Sequence, residues 1–87
     1  MAWVLLYQPA AEKELSKLDR SIQKAVKKYL HSVCQLEDPT ARGHPLSGPL
    51  AGLHRYRLGQ LRIIVAIERN IITVTVLSVD KRDNVYG

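Results

Sequence analysis

The sequence predicts an α+β fold in one domain, residues 1–87: an N-terminal strand, a helical hairpin, then a three-stranded antiparallel meander, with the helices packed on one face of the sheet. Three observations carry that prediction. Apolar residues recur at helical spacing between Pro9 and Leu36, and as β-branched, alternating runs between Leu53 and Val79. Between the two regions, "DPTARGHPLSGPLAG" from Asp38 to Gly52 concentrates three of the four prolines and three of the five glycines, which marks a loop from helices to sheet. A chain of 87 residues buries only about 60–65% of its unfolded surface and has no room for a second module.

Each element follows from its own residues. Ala2 to Tyr7, "AWVLLY", is apolar and aromatic throughout and reads as a strand buried on both faces. Pro9 opens a first helix, where its missing N–H costs nothing; Ala11, Leu15 and Leu18 share one side while Glu12, Lys13, Glu14 and Lys17 face water. Asp19 or Ser21 is placed to cap a second helix, whose Ile22, Val26, Tyr29, Leu30, Val33 and Leu36 form the buried stripe and whose exposed side carries Lys24, Lys27 and Lys28. Leu53–Leu58, Leu61–Ile67 and Ile71–Val79 are the meander strands, joined by Gly59-Gln60 and by a turn around Arg69-Asn70.

The Gly59-Gln60 turn sets a register: Leu58 opposite Leu61, Arg57 opposite Arg62, Tyr56 opposite Ile63, Arg55 opposite Ile64. Opposite partners share a face. Tyr56, Leu58, Leu61, Ile63, Val65 and Ile67, joined by Ile72, Val74 and Val76, are then the side under the helices, and His54 points the same way. Arg55, Arg57 and Arg62 collect on the other side beside Thr73, Thr75 and Leu77, with Lys81 next in the same parity. Two arginines directly opposite repel by up to about 1 kcal/mol, and no packing need asks for them. They either splay into solvent or pair with Glu68 and Asp80, or they clamp a phosphate, which guanidinium forks bind bidentately while staying charged at any working pH. The clamp is the reading the pattern favours.

Composition narrows the function classes. Thirteen Lys and Arg against eight Asp and Glu give +5, which suits a polyanionic partner. Cys34 is the only cysteine, so neither an intramolecular disulfide nor a cysteine zinc site can form; it reads as a buried structural thiol in a cytoplasmic protein. His31, His44 and His54 lack metal-ligand spacing, and no metal or other cofactor is expected. The opening apolar run is too short to cross a bilayer and lacks a basic flank, so neither a membrane span nor a targeting segment is expected.

"LSGPLAGLHRYRLGQLRIIVAIE" and the final "VLSVDKRDNVYG" resemble the RelE/ParE superfamily of bacterial toxins, in particular the RelE-type ribosome-dependent mRNA endonucleases. The resemblance spans nearly the whole chain. It implies that catalysis rests on Arg55, Arg57, Arg62, Arg82 and Tyr86, with no metal, through attack of a ribose 2′-oxygen on the adjacent phosphate of mRNA in the ribosomal A site. RNA contacts would come from Arg55, Arg57, Arg62, Lys81 and Arg82, with Lys24, Lys27 and Lys28 as a second basic surface. Arg57 stands where the best-understood members carry a lysine base; arginine is a poor proton acceptor, so Lys81 is the alternative base. A longer C-terminal helix, carried by some relatives, is not expected. The family also implies a cognate RelB-like antitoxin, partly disordered with an acidic segment, through which the complex binds its own operator. Two other functions fit the same features: a ParE-like poison of DNA gyrase that cleaves nothing, and a non-catalytic basic RNA-binding module.

Overall fold

The computed structural model describes residues 2–81; Arg82 and Tyr86 lie outside the described residues. The chain runs β1 (Val4–Tyr7), α1 (Pro9–Ser16), α2 (Arg20–Cys34), β2 (His44–Pro45), β3 (His54–Leu58), β4 (Leu61–Glu68) and β5 (Thr73–Lys81). The sheet order is β1-β5-β4-β3-β2, with β1 parallel to β5 and the other pairs antiparallel. No helix among the described residues is long and apolar enough to cross a membrane.

Both helices lie on one face, as their stripes require. Ala11 and Leu15 from α1, and Val26, Leu30, Val33 and Cys34 from α2, meet Tyr56, Leu61, Ile63, Val65, Val74, Val76 and Val79 of the sheet in one core. Pro9 occupies the first turn of α1. Asp19 holds the N-cap position of α2, yet its side chain makes no capping bond; the Gln23 side-chain amide ties the start of the helix to the preceding turn by donating to the Leu18 carbonyl at 2.8 Å. Burial pushes the Cys34 thiol pKa up, as befits a packed structural group.

Four expectations are corrected by the tertiary structure. The first strand is not buried on both faces. β1 is an edge strand with β5 on one side only, so Val4 and Leu6 are each 51% exposed, while Leu5 and Tyr7 pack toward the core. The loop from Asp38 to Gly52 is not all loop, because His44 and Pro45 pair with Arg55 and His54 to add a fifth strand. Gly43, at φ +76°, makes that approach possible: a Cβ there would sit 2.2 Å from the Arg55 carbonyl oxygen and 2.8 Å from the Tyr56 ring.

The third correction concerns the last strand. It begins at Thr73 rather than Ile71, since Arg69–Ile71 form a 3₁₀ turn that leaves Ile72 at φ +49° and 36% exposed instead of in the core, while Thr73 is buried. Further along, Ile64 pairs with Ser78 but Val65 pairs with Val76, so Leu77 is an extra residue, a β-bulge. One inserted residue exchanges the two faces of everything after it. Val79 therefore turns into the core, Asp80 comes opposite Arg62, and Lys81 comes opposite Leu61 on the helix-covered side.

The fourth is Glu14, which does not simply face water. It is half-buried, and its Oε1 accepts the Val79 backbone N–H at 2.9 Å. β1 ends before this point, so Val79 has no neighbouring strand on that edge, and the α1 carboxylate takes the place of a strand carbonyl. The bulge is thereby tied to the helix.

Candidate functional site

The β3–β4 hairpin is the frame of the site. Gly59 adopts φ +62°, and the pairing is Leu58–Leu61, Arg57–Arg62, Tyr56–Ile63 and Arg55–Ile64, as the two-residue turn requires. The hairpin is anchored from the core side. The Tyr56 hydroxyl donates to the Pro39 carbonyl at 2.7 Å, its ring meets Tyr29 edge-on at 5.8 Å and His54 at 5.2 Å, and burial pushes its pKa upward. His54 is itself buried, with Nε2 bonded to the Arg42 carbonyl. Tyr56 and His54 are thus fixed from the core side, and strand parity turns Arg55 and Arg57 to the opposite face.

On the uncovered face, Arg57, Arg62 and Asp80 form one cross-sheet row, and His44, Arg55, Ile64 and Ser78 form the next. Arg62 Nε lies 3.8 Å from Asp80 Oδ1, with side chains 26% and 51% exposed. At that distance and exposure the pair is worth at most about 1 kcal/mol. Among the described residues no carboxylate lies within ion-pair distance of Arg55 or Arg57. Arg55 Nε is buried without a hydrogen-bond partner among the described residues, a donor left unmatched in the free protein. Beside the row is a depression of about 420 Å³, walled by Leu50, Leu53, Ile64 and Leu77 and carrying Arg62, Ser78 and Asp80 as its polar groups.

The arrangement suits a phosphodiester flanked by bases. Two guanidiniums one strand apart, about 4.8 Å, can hold the oxygens of one phosphate, and the apolar walls offer contact to a nucleobase. The sheet therefore brings together Arg55, Arg57 and Arg62 as the sequence predicts. It does not bring Lys81 to them: the bulge sends that side chain to the opposite face, where it borders a cavity with Ile22, Ala25, Leu58 and Leu61. Lys24, Lys27 and Lys28 are exposed on α2, across the sheet from the arginines, and so form a separate basic surface. Sequence reasoning treated Asp80 only as a pairing partner and His44 only as a loop residue. The His-Pro between Gly43 and Gly48 was the available signal for a short strand, since both glycines take positive φ.

The family model for the ParE toxin of type II toxin-antitoxin systems matches residues 5–86. The chain belongs to this toxin family. It is 31% identical over 86 residues to toxin RelG of Mycobacterium tuberculosis, covering 99% of this chain and 98% of that protein. The fold is similar to the toxin in the RelBE2 toxin-antitoxin complex from Mycobacterium tuberculosis, with TM-score 0.86, 29% identity, and 94% and 93% of the two chains covered. The isolated E. coli RelE toxin superposes with TM-score 0.76 and 26% identity over 98% and 92% of the two chains. The toxin's α+β architecture is thus that of the RelE-like structures, and its open face carries the arginine row and Asp80.

Proposed function

We propose that this toxin is a metal-independent endoribonuclease that cuts mRNA in the ribosomal A site and so stops translation in the cytoplasm. The observation that carries the reading is Arg57 opposite Arg62 on a rigid hairpin, with Arg55 and its unmatched Nε in the adjacent row. Like charges directly opposite cost stability, and a bound phosphate turns that cost into affinity. In the reaction the ribose 2′-oxygen attacks the adjacent phosphorus, the bond from phosphorus to the 5′-oxygen breaks, and the products are a cyclic phosphate and a free 5′-hydroxyl. Arg57 and Arg62 stabilise the charge that accumulates on the phosphorane oxygens; one preorganised donor of this kind is worth on the order of 10²–10³ in rate. Arg55 holds a neighbouring phosphate. Arg82 and Tyr86 are assigned by family resemblance to the same reaction.

The partner in the free cell is a RelB-like antitoxin, a reading supported by the toxin-antitoxin complex among the structural relatives. An acidic, partly disordered segment is the fitting ligand for Lys24, Lys27 and Lys28 on α2, and operator binding belongs to the antitoxin. The test is induced expression followed by mapping of mRNA 5′ ends. Codon-phased cuts in translated regions are expected. Intact transcripts with a DNA-damage response would point to gyrase, and intact transcripts without one to a non-catalytic RNA binder; either result overturns the nuclease reading.

A further inference from the structure

The proposed cleavage requires a group to take the 2′-hydroxyl proton, and most of the basic groups near the site are unsuited. Arg55, Arg57 and Arg62 remain protonated at any working pH. Lys81 lies on the other face of the sheet. His54 is buried toward the core with its Nε2 engaged by the Arg42 carbonyl. His44 is on the open face, but it pairs with Arg55, two residues along the strand from Arg57 and therefore about 7 Å from the row that would hold the phosphate.

We propose that Asp80 is the proton acceptor of this toxin, placed in the arginine row by the bulge at Leu77. This rests on the nuclease reading and deepens it. A phosphate held between Arg57 on β3 and Arg62 on β4 lies about one and a half strand spacings, roughly 7 Å, from Asp80 on β5, against roughly 10 Å from His44 on β2 in the next row. The attacking 2′-oxygen stands roughly 3–3.5 Å from phosphorus in a near-attack geometry, which on the β5 side leaves about 4 Å, a gap that the Asp80 side chain, already turned toward Arg62, can close to hydrogen-bond reach. Arg62 meets Asp80 through Nε, and its terminal nitrogens make no hydrogen bond among the described residues, so one guanidinium can orient the base and bind the phosphate together. Arg62 from β4 and, beyond it, Arg57 from β3 are the charges that face Asp80; Arg55 and His44 lie in the next row, and Lys81 and Glu14 are on the helix side. Asp80 takes the 2′ proton as the oxygen–phosphorus bond forms. Solvent water supplies a proton to the departing 5′-oxygen, and Asp80 returns its own to solvent, so the transesterification has no net proton change.

A carboxylate in a phosphate site has a second, opposite effect, because its charge weakens binding of the substrate. Base and repeller are therefore separable. The experiment is single-turnover cleavage of mRNA on programmed ribosomes by the wild type, D80N and D80E, with the protein concentration varied and the pH scanned from 6 to 9. Expected for D80N are a maximal rate lower by about 10²–10³-fold, a half-saturating concentration equal to or below that of the wild type, and a residual rate that climbs tenfold per pH unit as hydroxide takes over. D80E should recover part of the rate and lose the steep pH dependence. Asp80 is exposed, so thermal denaturation of D80N should match the wild type. A D80N rate within about threefold of wild type, or a loss confined to binding, overturns the assignment while leaving the nuclease reading intact. Wild-type protein that cuts nothing in this assay overturns both.

Discussion

Removing the Glu14 carboxylate tests whether the helix determines which face of β5 carries charge. Glu14 Oε1 accepts the Val79 N–H at 2.9 Å, two residues beyond the extra residue Leu77. In Glu14→Ala that N–H, next to a valine only 2% exposed, loses its acceptor. An unsatisfied buried amide costs about 1–3 kcal/mol. Glu14 is half-buried, so water can partly replace it, and about 1–2 kcal/mol is the expected loss. At roughly 4–8 °C per kcal/mol for a domain of this size, Tm should fall by about 5–15 °C. Glu14→Gln keeps an acceptor oxygen in place and should lose less than half as much. Thermal denaturation of the three proteins gives the stability order, and amide hydrogen exchange followed by NMR reports on Val79 itself, whose protection should drop selectively in the alanine variant. If Glu14→Ala matches the wild type in both Tm and Val79 protection, the helix does not hold the bulge, and another cause must place Asp80 beside Arg62.

Arg57→Ala or Arg62→Ala should each abolish growth inhibition while moving stability by no more than about 0.5 kcal/mol, since relief of the cross-strand repulsion offsets the weak ion pair; a fully toxic, folded Arg62→Ala would refute the phosphate clamp. Gly43→Ala should destabilise the protein by about 2–4 kcal/mol in urea denaturation, because its Cβ meets the Arg55 carbonyl oxygen at 2.2 Å at a backbone φ of +76°; an unchanged midpoint would show that the His44–Arg55 pairing is dispensable. The Asp38 carboxyl is held below its ordinary value of 3.8, first by the Thr40 hydroxyl and backbone N–H and then by Arg69. A depressed carboxylate stabilises the fold above its unfolded pKa and loses that contribution as pH falls through the folded one. The stability difference between the wild type and Asp38→Ala should therefore be flat from pH 5 to 8 and shrink below pH 4; a difference that grows on acidification would contradict the assignment.

Much of the fold is legible in the residues because the forces that shape it are local. Helical spacing from Ala11 to Leu18 and from Ile22 to Val33 specifies two amphipathic helices, and the stripe is buried where it should be. Gly59-Gln60 determines the hairpin register by turn geometry alone, and with it the placement of Arg57 opposite Arg62. The arginine part of the site was therefore readable before any packing was known. What only the tertiary structure decided lies at the sheet edges and past the bulge. An apolar run such as Val4–Tyr7 reads the same in a central strand and in an edge strand, and its partner β5 lies some 70 residues away, so its exposure could not be inferred. Parity along β5 holds only while the ladder is regular. The residue that breaks it, Leu77, looks like any strand residue, and the group that satisfies the broken ladder, Glu14, sits on a helix 65 positions before the Val79 whose N–H it accepts. A single displaced residue, stabilised from that distance, is why Asp80 rather than Lys81 shares the face with the arginines.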